Sequence, residues 1–444
     1  MTYRTSGRLR CALRASFALA ALALLSACKG MLDVSNPAAI TEENLKADDQ
    51  TLIFMERGIQ NGVRGEYPWM AAMGAAFTDE AISGHGWQPW NAYDQRRVTP
   101  DNGAHSGFTY GLLQRARGTA DALIPKMKEA LGSRAANNVH LANALAYAGY
   151  AYLLMGDHLC SAPVESMGRA VPSDSMYRMA VSRFTEASTI AAAAGATDIV
   201  NLAKVGLARA QLNLGKYSES IAAANAVPAT YESWLHYTAS ASLGDWQIYS
   251  FFAWWAGAKA GELDLAYPTG FNVQDKRIPF DTRLASLSDG RRQGYRPFQT
   301  ASFSGWSPTA AGTMFDEVAS LRFASGLEAQ YMVAEASLAG GAGGMSSAQI
   351  ATFINLRRDA GGLTPYAGAT TTDALRAELV EQRKRDFYLA GYRVGDLRRY
   401  KRLYGAAYDF WPKGLMPGLT ETYGTDECWP MDINELNGNP NARL

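Results

Sequence analysis

The sequence predicts a mainly α-helical protein, a scaffold of helical repeats carrying large loop-rich insertions. Three observations lead there. Apolar residues recur at steps of three or four along several stretches, and each stretch closes on glycine. Small residues crowd the first of these stretches (Ala144, Ala146, Ala148, Gly149, Ala151), which suits helices that approach closely. Between the stretches lie regions rich in Gly, Pro and aromatic residues with little period, at 66–106, 267–313 and 404–444. Long ordered loops of this kind usually carry function.

The chain opens on an address rather than a fold element. Arg4, Arg8, Arg10 and Arg14 form a positive segment with no acidic residue, and Ala15–Leu25 is a run of 11 residues, apolar except for Ser16. That run is far short of the ~20 residues that span a bilayer and fits the apolar part of a signal peptide. Leu25-Ser26-Ala27-Cys28 follows. It resembles the bacterial lipobox, in which the cysteine is acylated and becomes the first residue after cleavage. The expectation is a signal peptide over 1–27, lipidation at Cys28 and one domain over 28–444. The alternative is an ordinary secretory signal with a chance cysteine. Lys29, not Asp, follows Cys28, which favours the outer membrane. Two or three acyl chains anchor stably, each buried CH₂ contributing about 0.8 kcal/mol.

The helices follow. Leu141, Leu145, Ala148, Tyr152 and Met155 form one apolar stripe, Leu202, Val205, Ala208 and Leu212 a second, and Leu327, Tyr331, Ala334 and Leu338 a third. Gly156-Asp157, Gly215-Lys216 and Gly340-Gly341 read as their stops. Residues 202–228 read as helix, Leu-Gly-Lys-Tyr turn, helix and proline. That resembles a tetratricopeptide repeat, although a strict 34-residue period is not sustained. The aromatic-rich stretch 246–260 contains Lys259 and follows Asp245; it is too short and too charged for a membrane span. Its Trp254-Trp255 pair reads as core.

Composition narrows the function classes. Apolar residues make up 48% of the chain, enough for a packed core. Lys and Arg number 42 against 42 Asp and Glu, so the basic excess of a nucleic-acid binder is missing. Loss of the four signal arginines turns the balance mildly acidic. Of four cysteines, Cys11 leaves with the signal and Cys28 is acylated, which leaves Cys160 and Cys428. Two cysteines alone in an oxidising compartment are expected to bridge. They would close a very long loop, contributing about 4–5 kcal/mol on the loop-entropy account. Two separate buried thiols are the alternative.

No catalytic constellation stands out. His85, His105, His140, His158 and His236 form no zinc-binding spacing, and no nucleophile elbow, phosphate-binding loop or dinucleotide fingerprint is present. No catalytic residue, metal or cofactor is assigned. Asp79, Glu80 and Asp94 read as surface or capping carboxylates. Aromatic residues are enriched on the expected loops instead: Trp69, Trp87, Trp90, Tyr93, Trp306, Trp411 and Trp429 sit among Gly and Pro. A flat exposed ring stacks on the apolar face of a sugar, and neighbouring Asn, Gln, Asp and Arg read its hydroxyls. Trp69, Trp87, Trp90, Tyr93 and Trp306 are therefore the candidate ligand residues. The plain alternative for any one ring is that it pins its loop by packing.

Several stretches together carry a family resemblance. Leu32-Asp33-Val34-Ser35-Asn36-Pro37 follows the acylated cysteine; Leu321-Arg322-Phe323 leads to Ala334-Glu335-Ala336; Ile354-Asn355-Leu356-Arg357 leads to Ala360-Gly361-Gly362-Leu363. Glu381-Gln382-Arg383-Lys384-Arg385-Asp386-Phe387 precedes Gly391-Tyr392-Arg393 and Asp396-Leu397-Arg398-Arg399, and Cys428-Trp429-Pro430-Met431 closes the chain with Glu435, Asn439 and Pro440. The whole is similar to the SusD/RagB family of nutrient-uptake lipoproteins. The departures are Gln382 for the usual Arg, Ala324-Ser325 for Ala-Glu, Asp281-Thr282-Arg283 for Asp-Pro-Arg, and a shorter chain. The resemblance implies a tetratricopeptide-containing, SusD-like fold and a non-enzymatic receptor. It implies capture of a glycan or peptide and delivery to a SusC-like TonB-dependent outer-membrane transporter. The rivals are a lipid-anchored surface glycoside hydrolase and a repeat scaffold that binds only proteins. Glu381, Arg383, Arg385, Arg393, Asp396 and Arg398 are expected to form an ion network tying the C-terminal helices to the repeats, with no part in ligand binding.

Overall fold

Periodic apolar stripes become helices here because neighbouring helices bury them. The computed structural model describes residues 48–84, 86–237, 265–266, 275–278, 280–287, 290–291, 293–297 and 320–442. The signal segment, Cys28, the 32–37 stretch, His85, Trp254-Trp255 and Trp306 lie outside them. The described residues belong to one unit from Ala47 onward. It is mainly helical, and none of its described helices is long and apolar enough to cross a membrane.

Helix α1 (Asp49–Phe77) starts at Asp48, whose carboxylate accepts the Thr51 N–H at 2.8 Å. It runs through Pro68 into the stretch expected to be loop, because its last turns are almost wholly buried. Strand β1 (Ile82–Ser83) and the short α2 (Gln88–Asp94) lead to a π-helical turn (His105–Tyr110) and α3 (Gly111–Leu131). Helix α3 lies antiparallel to α1, with Leu123 beside Gly58 and Ala116 beside Gly62. Helix α4 (Val139–His158) runs parallel to α1: Glu56 accepts from His140 and Asn143, and Gln60 donates to the Tyr147 hydroxyl.

A hairpin of β2 (Ser161–Pro163) and β3 (Ala170–Pro172) leads into α5 (Ser173–Ala193), followed by α6 (Thr197–Asn213) and α7 (Tyr217–Asn225). Phe184 of α5 wedges between Gly149 of α4 and Gly206 of α6, where any Cβ would strike its ring. Small and aromatic residues thus interlock as the repeat reading requires. Gly215 ends α6 in the left-handed region (φ 72°), as expected of a stop. Gly156 is no stop. It lies inside α4, which continues to His158, and it is glycine because the Tyr177 ring packs where a side chain would go.

Strand β4 (Glu232–Leu235) pairs antiparallel with β8 (Leu321–Ser325), so the chain between them leaves and returns at one place. Within that excursion β5 (Leu265–Ala266) pairs with β1, and β6 (Phe280–Ser286) pairs with β7 (Gln293–Pro297). The Leu321-Arg322-Phe323 end of the family-like stretch is thus strand, and Ser325 caps α8 (Gly326–Leu338). Helices α9 (Ser347–Ala360), α10 (Thr372–Asp386), α11 (Arg393–Tyr404) and α12 (Ile433–Gly438) complete the order.

The C-terminal signature does build an ion network, and its membership is sharper than expected. Arg383 Nε pairs with Asp396 at 2.7 Å, and Arg399 bridges Asp396 (2.7 Å) and Glu335 (2.8 Å). Glu328 holds Arg209 at 2.6 Å and lies 3.9 Å from Arg383. These six side chains are buried and balance in charge, and they join α6, α8, α10 and α11. Arg399, not Arg398, is the member from the Arg pair. Arg398 instead donates to the carbonyls of Gly156, Asp157 and Leu159, closing the end of α4. Arg393 pairs with Asp79 at 2.8 Å, and Glu381 pairs locally with Arg385.

Candidate ligand-binding site

The aromatic candidates fall together, but mostly under the surface. Trp69 from α1 and Trp90 from α2 stack at 5.2 Å with an interplanar angle of 13°, and Phe108 of the π-helical turn closes on both at 4.8 and 5.3 Å. Trp87 caps the group edge-on, 5.8 Å from Trp90 and 6.5 Å from Phe108. Trp69 is 5% exposed and Trp90 7%, whereas Trp87 is 41% exposed. The first two are therefore packing residues that support Trp87, not open stacking surface.

Tyr93 is fully buried, which corrects its assignment as a ligand residue. Its hydroxyl bonds Thr109 Oγ1 at 2.7 Å, and its ring meets Trp429 edge-on at 5.1 Å. His105 donates from Nε2 to the Pro430 carbonyl at 2.8 Å and so accepts at Nδ1. Burial pushes this imidazole down to about 4, so it is neutral at physiological pH. Trp429 itself is buried against Phe77, His105 and His158, and Trp411 is buried against Phe77.

The polar residues near Trp87 are also largely spent. Ser83 N–H donates to Asp94 at 2.9 Å and Ser83 Oγ to Asn91 Oδ1 at 3.0 Å, so both side chains hold β1. Asn102 donates to the Pro89 carbonyl at 2.9 Å and accepts the His105 N–H at 3.0 Å, which fixes the loop under Trp87. Gln88 remains exposed beside Trp87. Asp79 is committed to Arg393 and Lys384. Burial raises the Glu80 carboxyl to about 8. Asp79 and Asp94 are thus structural, and Glu80 and Asp94 are buried, which corrects the reading of them as surface carboxylates.

Two features tie the long excursion between β4 and β8 back to the scaffold, one of them near the aromatic step. The β1–β5 ladder pairs Ile82 with Ala266 and Ser83 with Leu265, a few residues before Trp87. Farther on, Asp275 accepts from Arg277 and Arg385, Arg277 Nη2 donates to Gln382 Oε1 at 2.7 Å, and Lys276 N–H bonds the Gly361 carbonyl. Gln382 thus serves as a neutral partner for Arg277, where a second guanidinium would repel it. Sequence reasoning does not single out Asp275 and Arg277, since a lone Asp-Lys-Arg run gives no spacing signal.

Cys160 and Cys428 form a disulfide that ties the end of α4 to the C-terminal tail. Beside it Trp429 N–H bonds the His158 carbonyl at 2.7 Å and Cys160 N–H bonds the Trp429 carbonyl at 2.9 Å.

No family model and no curated protein matches the chain. Solved structures do. A SusD superfamily protein from Bacteroides vulgatus ATCC 8482 superposes with a TM-score of 0.63 at 14% identity, covering 90% of this chain and 99% of that one. A SusD-like carbohydrate binding protein from the same organism gives 0.62 at 12%, covering 88% and 97%. Surface glycan-binding protein A from Bacteroides uniformis gives 0.61 at 13%, covering 89% and 98%. The chain has the SusD-like fold: a helical-repeat scaffold with loop-rich insertions, matched over about nine-tenths of the chain.

Proposed function

We propose that this protein is a SusD/RagB-family surface lipoprotein that captures glycan and delivers it to a TonB-dependent outer-membrane transporter. The observation that carries the reading is Trp87: a partly exposed indole held in place by Trp90, Phe108 and, beneath them, Trp69. A rigid, pre-oriented ring gives stacking without the entropy cost of ordering it on binding. Two of the proteins that share the fold are described as carbohydrate-binding or glycan-binding, which supports the same ligand class. The motif ending in Cys28 supports a lipid anchor, and the family resemblance supports the transporter partner. The mechanism is capture by stacking and hydrogen bonding, then hand-over without chemistry on the ligand.

Affinity electrophoresis against a panel of neutral polysaccharides, with product analysis, tests this. Retardation of the intact protein without released products, weakened in Trp87→Ala, supports a receptor. Released products mean a hydrolase, and neither result would leave a protein-binding scaffold. Labelled palmitate incorporated by the wild type and lost in Cys28→Ala supports the anchor, and co-purification of a transporter supports the partner.

A further inference from the structure

A second site is built away from the aromatic step. Two clefts, of about 510 and 570 Å³, meet at a ridge made by Arg117 of α3 and by Glu165 and Ser166 of the β2–β3 loop. Each is in the range of about 300–1,000 Å³ that small-molecule sites occupy. The first cleft is closed on its other side by Glu435 of α12, and the second by Arg183 of α5.

The loop on the ridge is fixed from outside itself. Gln114 donates to the Pro163 carbonyl at 3.0 Å and Arg117 to the Val164 carbonyl at 2.7 Å. Asn441 donates to the Met167 carbonyl at 2.9 Å and Asn439 to the Gly168 carbonyl at 2.8 Å. With these carbonyls satisfied, the loop presents its side chains. Met167 is 51% exposed, and its backbone is held in the left-handed region (φ 55°).

The charges around the ridge select the ligand. Asp121 gathers Arg117 (3.1 Å), Arg183 (3.0 Å) and the Tyr152 hydroxyl (2.6 Å). Arg117 Nη2 is left with no bond among the described residues, and so is the Glu165 carboxylate. Around the two clefts Arg117 and Arg183 face four carboxylates, Asp121, Glu165, Asp432 and Glu435. A ridge with one free guanidinium edge and one free carboxylate offers both a donor and acceptors to hydroxyl groups, and the acidic excess around it disfavours an anion. Met167 adds an apolar contact for the C–H face of a ring. We propose that this groove is a second saccharide-binding site, for a neutral chain of sugar units held by charged planar side chains without aromatic stacking.

The inference rests on the glycan reading above, and the test separates the two. Full-length protein is run against amylopectin, xyloglucan, galactomannan and laminarin as wild type, Glu165→Ala and Trp87→Ala. Glu165 makes no scaffold bond through its side chain among the described residues, so its variant is expected to melt with the wild type. It is expected to bind the retained polysaccharide about tenfold more weakly, the scale of one charged hydrogen-bonding group. Calorimetry with an oligosaccharide of that polymer is expected to show two sites in the wild type and one in each variant. One site in the wild type, or undiminished binding by Glu165→Ala, overturns the second site and leaves the glycan reading intact. A wild type retained by none of the four overturns both.

Discussion

Substituting Asp396 by Asn removes a charge from the buried network while keeping its shape. Asp396 accepts from Arg383 Nε and Arg399 Nη2, both at 2.7 Å. Arg399 keeps Glu335, but Arg383 is left with Glu328 at 3.9 Å. Burial alone would raise the Asp396 carboxyl; Arg383 and Arg399 outweigh it and hold it at about 2, below the ordinary value of 3.8. That difference corresponds to about 2 kcal/mol of stability at neutral pH. It counts only the proton linkage. Leaving a buried guanidinium without its partner raises the expected loss to about 3–5 kcal/mol. For a unit of roughly 400 residues, unfolding entropy near 0.8 kcal/mol/K converts this to a fall in Tm of about 4–6 °C. The folded carboxyl is depressed, so its contribution is full above the unfolded value near 3.8 and fades as pH falls through about 2. The gap between wild type and variant should therefore narrow in acid. Thermal melts at pH 7 and pH 3, beside affinity electrophoresis, provide the readout. An unchanged Tm, or lost glycan affinity without destabilisation, would refute the structural role.

Three further outcomes are expected. Glu80 is raised to about 8 by burial, so its contribution is full below about 4.5 and lost as pH rises to 8. Glu80→Gln should remove that decline and raise Tm at pH 8, as a pH series of melts would show. Gly206→Ala should destabilise by about 1–3 kcal/mol through overpacking against Phe184, measured by urea unfolding. Replacing both Cys160 and Cys428 by Ala should cost about 2–5 kcal/mol. Thiol titration of unfolded, unreduced wild type should then find neither of these two cysteines free.

Much of the scaffold is legible in the sequence because its signals are local. The stripes along 141–155 and 202–212 follow helical period, and Gly215 and Gly340 end their helices at positive φ. Gly156 misleads because close packing against Tyr177 and a helix stop use the same residue. The strand at 321–325 gives no local signal, because its pairing partner, β4, lies more than eighty positions away. The signature residues announce an ion network, but which arginine of Arg398-Arg399 turns inward depends on helix rotation, not composition. The aromatic site is legible as a neighbourhood only. Trp69, Trp87, Trp90 and Tyr93 share a region and a chemistry, and tertiary packing decides that Trp87 alone among them is substantially exposed. The groove at Arg117 and Glu165 gives no sequence signal, since its parts come from two helices, a hairpin loop and the tail.

Affinity electrophoresis of wild type and Trp87→Ala in gels containing neutral polysaccharides tests the glycan-receptor reading most directly. The expected result is retardation of the wild type by at least one polymer, with mobility restored toward that of the empty gel in a Trp87→Ala variant that still melts cooperatively. A wild type that no polymer retards, or a Trp87→Ala variant retarded as strongly as the wild type, would contradict it.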